Sequence, residues 1–192
     1  MKKITVLGNF SGRNAGDAAI LGCLLQDISE KYSDIQFYIP TINTKFVARC
    51  FSQYNIVPVG LMPWNLSAKI MGLPVVITTL SSDLILVTDA ILFDRKLYNP
   101  LFNYLWTLSK VLPIAHKKGI PVVLYNSSLG PVSSAGGKNA LARVIRSADQ
   151  VILRDTESVE LLRRENIAHS HIHEGADCAL NATPVDEVRF AE

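Results

Sequence analysis

The feature that most constrains the fold is an alternation of short aliphatic, β-branched runs with longer segments whose apolar residues recur at helical spacing. The short runs predict strands at residues 4–7, 35–39, 56–59, 84–87, 120–125, 151–153 and 169–173. The longer segments predict helices at residues 17–30, 44–54, 138–147 and 156–165, with an irregular helix at 67–71 inside the weakly patterned stretch 60–82. Such regular alternation is typical of parallel sheets covered by helices on both faces. The chain is therefore predicted to form an α/β fold with a doubly wound, mostly parallel sheet.

Proline, asparagine and glycine predict several boundaries of these elements. Pro40 is expected to end the second strand, because proline cannot donate to a sheet ladder. Asn99 and Pro100 are expected to cap and open a further helix. Pro113 is expected to kink or shorten that helix, and Gly119 to close it.

The composition excludes several classes of protein. Hydrophobic residues make up 48% and charged residues 19% of the 192 residues, which indicates a globular domain rather than a disordered chain. The net charge of +2, without a run of Lys or Arg, argues against a nucleic-acid binder. The scattered Cys23, Cys50 and Cys178 suit free thiols in a reducing compartment. Prolines and charges interrupt the most apolar stretch, residues 56–87, so we expect a cytoplasmic protein without a transmembrane segment.

The sequence also predicts a domain organisation. Residues 1–180 are predicted to form one N-terminal, Rossmann-like α/β domain. Residues 181–192 begin with an Asn-Ala-Thr-Pro segment and continue as a polar tail. Such a segment is typical of a linker, and we expect it to lead toward a C-terminal domain that is missing from this sequence.

The first candidate site motif lies between the first strand and the first helix, at residues 8–17. Its small residues, Gly8 and Gly16 among them, permit close approach of a ligand, and the amides at a helix start favour anionic or oxygen-rich groups. The spacing is neither that of a dinucleotide-binding fingerprint nor that of a P-loop. An alternative interpretation is that Asp17 only caps the helix.

The second candidate motif is Leu153-Arg154-Asp155-Thr156, where another predicted strand passes into a helix. An arginine at the carboxyl end of a strand can grip a carboxylate or phosphate through two N–H groups. The alternative is that Arg154 pairs with a nearby carboxylate, while Asp155 or Thr156 caps the helix.

Histidines provide a weaker signal. His169, His171 and His173 alternate on a predicted strand and would share one face of it. No cysteine or carboxylate stands at a recognised ligand spacing from them, so no metal site is expected. His116 lies near a helix end and is expected to be solvated.

Several motifs follow one another in an order that occurs in a known family. They are Gly8 with Asn14-Ala15-Gly16-Asp17, Gly119-Ile120-Pro121-Val122, Ser128-Leu129-Gly130-Pro131, Arg154-Asp155 with Ser158, and Ala176-Asp177-Cys178-Ala179. This series resembles the N-terminal domain of the polysaccharide pyruvyl transferase family, over nearly the whole chain. The resemblance implies one half of a two-domain fold similar to GT-B glycosyltransferases. It also implies transfer of pyruvate from phosphoenolpyruvate to a sugar as a cyclic ketal, with no cofactor.

The chain departs from the family pattern at three places. Thr88, Asp89 and Ala90 stand where the family usually has a glycine-rich turn, so side chains restrict how closely a ligand approaches that wall. Asp89 is therefore a candidate substrate-binding residue. Cys178 replaces a usual proline. The family's second domain is expected to lie outside this sequence and to bring further arginines and histidines to the cleft, so the isolated chain is expected to be inactive.

The chemistry implied by the resemblance makes demands that suggest roles for particular residues. Phosphoenolpyruvate carries a phosphate and a carboxylate, so cations must bind it. Arg154 is the candidate for this clamp, and Arg13 is a possible second cation, although a solvated loop arginine is the alternative. Two sugar hydroxyls must be activated, and Asp17 is the candidate base or hydroxyl-orienting group. Asn14 and the loop amides of Gly8 and Gly16 are candidates for positioning the sugar.

Two other functions remain open at this point. One is a glycosyltransferase of GT-B type that uses a nucleotide sugar, since a shared fold does not determine the donor. The other is a non-catalytic binding or scaffold module, including a homo-oligomer. The expected partners are a sugar or polysaccharide precursor and the missing C-terminal domain.

Overall fold

The computed structural model describes residues 1–60, 73–99 and 103–182. In this part of the chain, seven strands form one sheet in the order β3-β2-β1-β4-β5-β6-β7, and every neighbouring pair is parallel. The strands are β1 Lys2–Leu7, β2 Ile35–Thr41, β3 Ile56–Gly60, β4 Leu84–Leu92, β5 Val122–Leu129, β6 Gln150–Leu153 and β7 Ile172–Glu174. The helices are α1 Ala15–Lys31, α2 Thr44–Cys50, α3 Leu73–Thr79, α4 Tyr104–Lys117, α5 Ala135–Arg146 and α6 Thr156–Arg164, followed by a 3₁₀ helix at Cys178–Asn181.

Helices cover the sheet on both faces. On one face, Leu24 of α1 and Val47 of α2 join Ile39 of β2 in one buried cluster. On the other face, α4, α5 and α6 contribute Leu112, Leu141 and Leu162 to a cluster with Val87 and Leu124 of the central strands. Continuous aliphatic strands such as β4 suit a sheet buried on both sides. The predicted doubly wound, parallel, Rossmann-like α/β fold is confirmed.

The strand order reverses between β1 and β4. From β1 the chain proceeds outward to β2 and β3, and it then returns to the other side of β1. The connections after β1 and β4 consequently diverge onto opposite faces, which opens a crevice at the carboxyl ends of these two strands. Ligand sites of doubly wound sheets lie at such a point.

The expectation that Pro40 ends the second strand is wrong. β2 continues through Pro40 to Thr41, and Pro40 stands in register with Val59 of β3. The pairing of β2 with β1 ends earlier, at Tyr38. At Pro40 the strand is therefore paired only with β3. Since β1 no longer pairs with β2 at this position, the N–H that proline lacks is not needed for a bond to β1.

The predicted start of α4 is also wrong. The helix begins at Tyr104 behind Asn103, whose side-chain oxygen accepts from Trp106 N, whereas Asn99 lies before it. The Asn103 amide also donates to the carbonyl oxygens of Phe93 and Arg95, which holds the helix start against the end of β4. Pro100 lies outside the described residues, as does the irregular helix predicted at 67–71.

The predictions for the other end of α4 have different outcomes. The helix runs through Pro113 to Lys117, so the predicted shortening is wrong. Gly119 has a φ of +72°, a left-handed conformation that glycine adopts without steric cost, and its predicted role in closing the helix is confirmed. Within the described ranges, no helix is both long enough and apolar enough to cross a membrane.

Candidate active site at the switch point of the sheet

The loop after β1 ends in an asparagine that caps α1. The Asn14 side-chain oxygen accepts from Gly16 N at 2.9 Å, and its amide nitrogen donates to Asp17 Oδ1 at 2.7 Å. The interpretation that Asp17 caps the helix is therefore wrong, because the capping group is the neighbouring asparagine. Asp17 lies in the first turn of the helix, at the carboxyl end of β1, and its carboxylate accepts from Asn14 instead of capping the backbone.

Polar contacts from β2 and α2 fix the conformation of this loop. Thr41 Oγ1 donates to the carbonyl oxygen of Phe10 at 2.7 Å, and Asn43 Nδ2 donates to that of Ser11 at 3.2 Å. Gly8 makes room for the buried Phe10 ring, since a Cβ at residue 8 would lie 2.4 Å from Phe10 Cζ. The loop is consequently held in place before any ligand binds, as a preorganised site requires.

Two carboxylates, Asp17 and Asp89, meet at the crevice through Asn9. Asn9 Nδ2 donates to Asp17 Oδ2 at 3.0 Å, and Asn9 N donates to Asp89 Oδ2 at 3.4 Å. Asp17 is 6% exposed and Asp89 5% exposed. The structure therefore brings Asp89, at the end of β4, to the same site as the loop after β1.

The backbone at Asp89 adopts a conformation that favours glycine. Its φ is +71°, and the register between β4 and β5 shifts on both sides of it. A non-glycine residue with such a φ is sterically strained, although aspartate and asparagine tolerate it best. The Asp89 carboxylate also accepts from Ala90 N at 2.6 Å. A strained residue at a crevice points to a functional constraint on that side chain.

Burial is the main reason why Asp17 resists ionisation. Burial and the charge of Asp89 raise the pKa of Asp17 to about 6, against the opposing effects of the Asn9 hydrogen bond and the Arg154 charge. A carboxyl group with such a pKa exchanges protons near neutral pH, which is the property required of a general acid or base.

Two substitutions are expected to move the pKa of Asp17 in opposite directions. Asp89→Asn removes a negative charge while keeping a residue that tolerates positive φ, so the pKa of Asp17 should fall. Asn9→Ala removes a hydrogen bond to the ionised form, so the pKa should rise. NMR titration of the Asp17 carboxyl carbon measures both. Shifts in the same direction in the two variants would contradict this account of the site.

Arg154 lies at the carboxyl end of β6, on the same edge of the sheet. Its Nη1 donates to Asp177 Oδ2 at 2.6 Å, and its backbone N donates to Ser127 O at the end of β5 at 3.2 Å. Asp155 caps α6 by accepting from Ser158 N at 2.7 Å. Both parts of the alternative interpretation, the ion pair and the cap, are therefore present. The Arg154 charge still acts on Asp17, which places this cation within electrostatic reach of the crevice.

The remaining predicted site residues differ in their positions. Gly16 belongs to the exposed first turn of α1, where its N–H is already engaged by Asn14. Arg13 is exposed in the loop, and its backbone N donates to Ser11 Oγ at 3.4 Å. This exposure agrees with the alternative of a solvated loop arginine.

Three residues close to the two carboxylates or on the neighbouring elements had no predicted role. Asn9 connects the two carboxylates, and the sequence signal for it was a polar residue two positions after the first strand. Asn126, buried within β5, has a φ of +54°. Burial, aided by the charge of Asp89, raises the pKa of Tyr104 to about 12, so this phenol at the start of α4 keeps its proton at neutral pH.

The predicted arrangement of the histidines is wrong. β7 begins at Ile172, so of the three only His173 lies in the strand. His169 Nε2 lies 2.9 Å from Ala148 O, and His173 Nε2 lies 3.1 Å from Gln150 Oε1. His169 and His171 precede the strand, where their rings make an edge-to-face contact with centroids 6.0 Å apart and His171 N donates to His169 Nδ1 at 3.1 Å. Among the described residues, no group of three His, Cys, Asp or Glu side chains is placed to hold a metal ion.

The cap of α1 provides a test of how the loop is held. Asn14→Ala should lower the free energy of unfolding by about 1 kcal/mol, because the N-cap bond to Gly16 N is lost. Asn14→Ser keeps a capping oxygen and should be close to wild type. Chemical denaturation of the three proteins measures the difference. An equal loss of unfolding free energy in both variants would show that Asn14 stabilises the protein by something other than its N-cap bond.

Comparisons with known proteins place this geometry in context. HepE (Alr3699) of Anabaena, solved in complex with UDP and glucose, is similar in structure, with a TM-score of 0.55 and 16% identity. The similarity covers 92% of this chain and 44% of HepE, and at this identity it supports the fold alone. A conserved protein of Enterococcus faecalis V583 has a TM-score of 0.42 and 16% identity, over 95% of this chain and 99% of its own.

The sequence comparisons concern the family. No curated protein matches the chain. The family model of polysaccharide pyruvyl transferases matches residues 14–191, which begins at the α1 cap and includes Asp17, Asp89 and Arg154. Since this match spans most of the chain and the fold is the expected one, the chain belongs to the polysaccharide pyruvyl transferase family.

Proposed function

We propose that this chain forms one wall of a site that transfers pyruvate from phosphoenolpyruvate to a sugar of a polysaccharide or its precursor. The single observation that carries the proposal is a buried carboxyl group with a pKa of about 6, Asp17, at the switch-point crevice of a chain in this family. The chemistry of the transfer needs a proton donor and acceptor, and it needs a cation for the donor anion. Asp17 is a candidate for the proton donor and acceptor, and Arg154 is a candidate for the cation.

At the pyruvyl unit the reaction forms one C–H and two C–O bonds, and it breaks the C=C π bond and the C–O bond to phosphate. A proton adds to the methylene carbon of phosphoenolpyruvate, which becomes a methyl group and leaves a cationic carbon beside it. Two sugar hydroxyl oxygens bond to that carbon, and its bond to the phosphate oxygen breaks. The two hydroxyls lose two protons, of which one balances the proton gained by the methyl carbon and the other leaves with phosphate or solvent. No oxidant or reductant takes part.

Asp17 would carry the proton in both directions. In its protonated form it would donate to the methylene carbon, and as the resulting carboxylate it would accept a proton from a sugar hydroxyl. A group whose pKa lies near the working pH is suited to both steps. Burial and the charge of Asp89 would favour the protonated form of Asp17 relative to an ordinary carboxyl group. Asn14 and the backbone of the loop between Gly8 and Gly16 would position the sugar.

Arg154 would bind the phosphate or carboxylate of the donor. A guanidinium has five N–H donors in a planar fork, and its single contact with Asp177 uses Nη1. Arg13 would add a second, flexible cation from the loop. The opposite wall would come from a further domain, since this chain spans 44% of the length of HepE. We place the reaction in the cytoplasm, on precursors of the cell envelope.

The test is donor binding and turnover by the complete gene product. Isothermal calorimetry compares phosphoenolpyruvate with UDP-glucose as the probe for a nucleotide sugar. Phosphate release from phosphoenolpyruvate is then measured with a polysaccharide and membrane fraction of the source cells as acceptor. Binding of phosphoenolpyruvate and acceptor-dependent phosphate release support the proposal. Binding of UDP-glucose alone would instead favour glycosyl transfer, and binding of neither would favour a scaffold role.

A further inference from the structure

The chain segment after β7 connects two parts of the crevice that lie on different elements. This segment, residues 175–181, follows β7 at one edge of the sheet and ends in the 3₁₀ helix, which packs on α1. At its centre, Asp177 forms the ion pair with Arg154 of the β6 end. α1 starts with the turn that contains Asp17. Residues 175–181 therefore link the cation of the proposed site to the helix that carries its acid.

We propose that Asp177 is a positioning residue that holds the Arg154 guanidinium toward the donor-binding crevice. The inference rests on the proposed function, because it assigns Arg154 to the donor anion. It adds a residue that does not itself contact the donor and acts through its hold on Arg154.

Asp177 is itself held from two directions. Its Oδ1 accepts from Ala179 N at 2.9 Å and caps the 3₁₀ helix. The next residue, Cys178, is 5% exposed and packs with Ile20 and Cys23 of α1, where its thiol lies 3.7 Å from Ile20 O. Burial raises the pKa of the Cys178 thiol to about 11, so it remains a neutral packing group. The carboxylate of Asp177 is thus fixed relative to α1.

Arg154 needs such a partner because its side chain is long and rotates about several bonds. The backbone of Arg154 is fixed by its bond to Ser127 O, but this contact leaves the guanidinium undetermined. With a side-chain exposure of 19%, Arg154 lies at the rim of the crevice rather than inside the core. The bond from Nη1 to Asp177 restrains the position of the guanidinium, and other N–H groups stay available to an anion.

The two functions of Asp177 can be separated by substitution. Serine and asparagine cap helices about as well as aspartate, so Asp177→Ser and Asp177→Asn should keep the 3₁₀ helix. Neither has a negative charge for Arg154, and the shorter serine cannot span the distance. In the complete gene product, with phosphoenolpyruvate as the probe in isothermal calorimetry, each variant should bind the donor roughly tenfold more weakly. The melting temperature should stay within about 2 °C of wild type.

A double-mutant cycle with Arg154→Ala separates positioning from a merely structural effect. In the Arg154→Ala background, Asp177→Ser should change the phosphoenolpyruvate affinity by less than about twofold, because the group that Asp177 positions is gone. An equal loss in both backgrounds would overturn the inference. The inference would also be overturned if Arg154→Ala weakened phosphoenolpyruvate binding while Asp177→Ser left it unchanged. The proposed function would stand in that case. An unchanged affinity of Arg154→Ala would instead remove the donor role on which both rest.

Discussion

Asp17→Asn is expected to lower the turnover number of the complete protein by about 10²–10⁴-fold, the usual contribution of a general acid or base. Asparagine is isosteric with aspartate, and its one oxygen can still accept one of the two bonds that Asn9 and Asn14 make to the separate carboxylate oxygens, but it has no acidic proton to transfer. The measurement is phosphate release from phosphoenolpyruvate with the acceptor fraction that supports turnover by the wild type. Calorimetric affinity for phosphoenolpyruvate should change little, because the loss lies in the chemical step.

The pH profile provides an independent check on the same residue. Because Asp17 must be protonated to donate to the methylene carbon, kcat/KM should fall as the pH rises through about 6. The alkaline decline should be absent from the residual activity of Asp17→Asn. Glu30→Gln, an exposed change at the far end of α1, should leave turnover and profile unchanged. A rate that rises through pH 6 would assign Asp17 to the base role alone and would contradict proton donation.

Arg154→Ala is expected to weaken phosphoenolpyruvate binding by about 10- to 100-fold, the effect of losing one or two charge-assisted hydrogen bonds. The side chain follows the end of β6 at the rim of the crevice and outside the buried clusters, so its removal should leave the sheet folded. Isothermal calorimetry with the complete protein measures the affinity, and circular dichroism verifies the fold.

Two further variants define what the arginine contributes. Arg154→Lys keeps the charge without the planar fork and should recover part of the lost affinity. Arg146→Ala removes an exposed arginine from the last turn of α5, which leads to the amino end of β6 and hence to the opposite edge of the sheet. This control should bind phosphoenolpyruvate like the wild type. A comparable loss in Arg146→Ala would indicate a general effect of net charge rather than a site at Arg154.

The order of the elements could be read from the sequence because it depends on local patterns. Aliphatic runs such as residues 84–87 cannot be solvated on either face, so they predict a central strand wherever they occur. The prediction for β4 was nevertheless too short, since the strand continues to Leu92. Its second half contains Asp89, whose φ of +71° is not a strand conformation, so its place in the strand depends on the pairing with Ser127 of β5 rather than on its own propensity.

The candidate site was predicted in part for a related reason. Residues that follow parallel strands meet at one edge of the sheet, so Asp17 and Arg154 could be assigned to that edge before the strand order was known. The bond from Asn9 to both Asp17 and Asp89 could not be anticipated in this way. It requires that β1 and β4, which are separated by 76 intervening residues between Leu7 and Leu84, lie side by side.

The sequence by itself determined the doubly wound α/β class, the family, and the loop and strand ends that bear polar side chains. These follow from periodicity and from residue types that act over a few neighbours. Only the tertiary structure decided that Asp89 adopts a φ of +71° beside Asp17, and that Asp177 joins Arg154 to the helix at Cys178–Asn181. The physical reason is that burial and charge at a site depend on which distant segments pack together, and a raised carboxyl pKa exists only once they have done so.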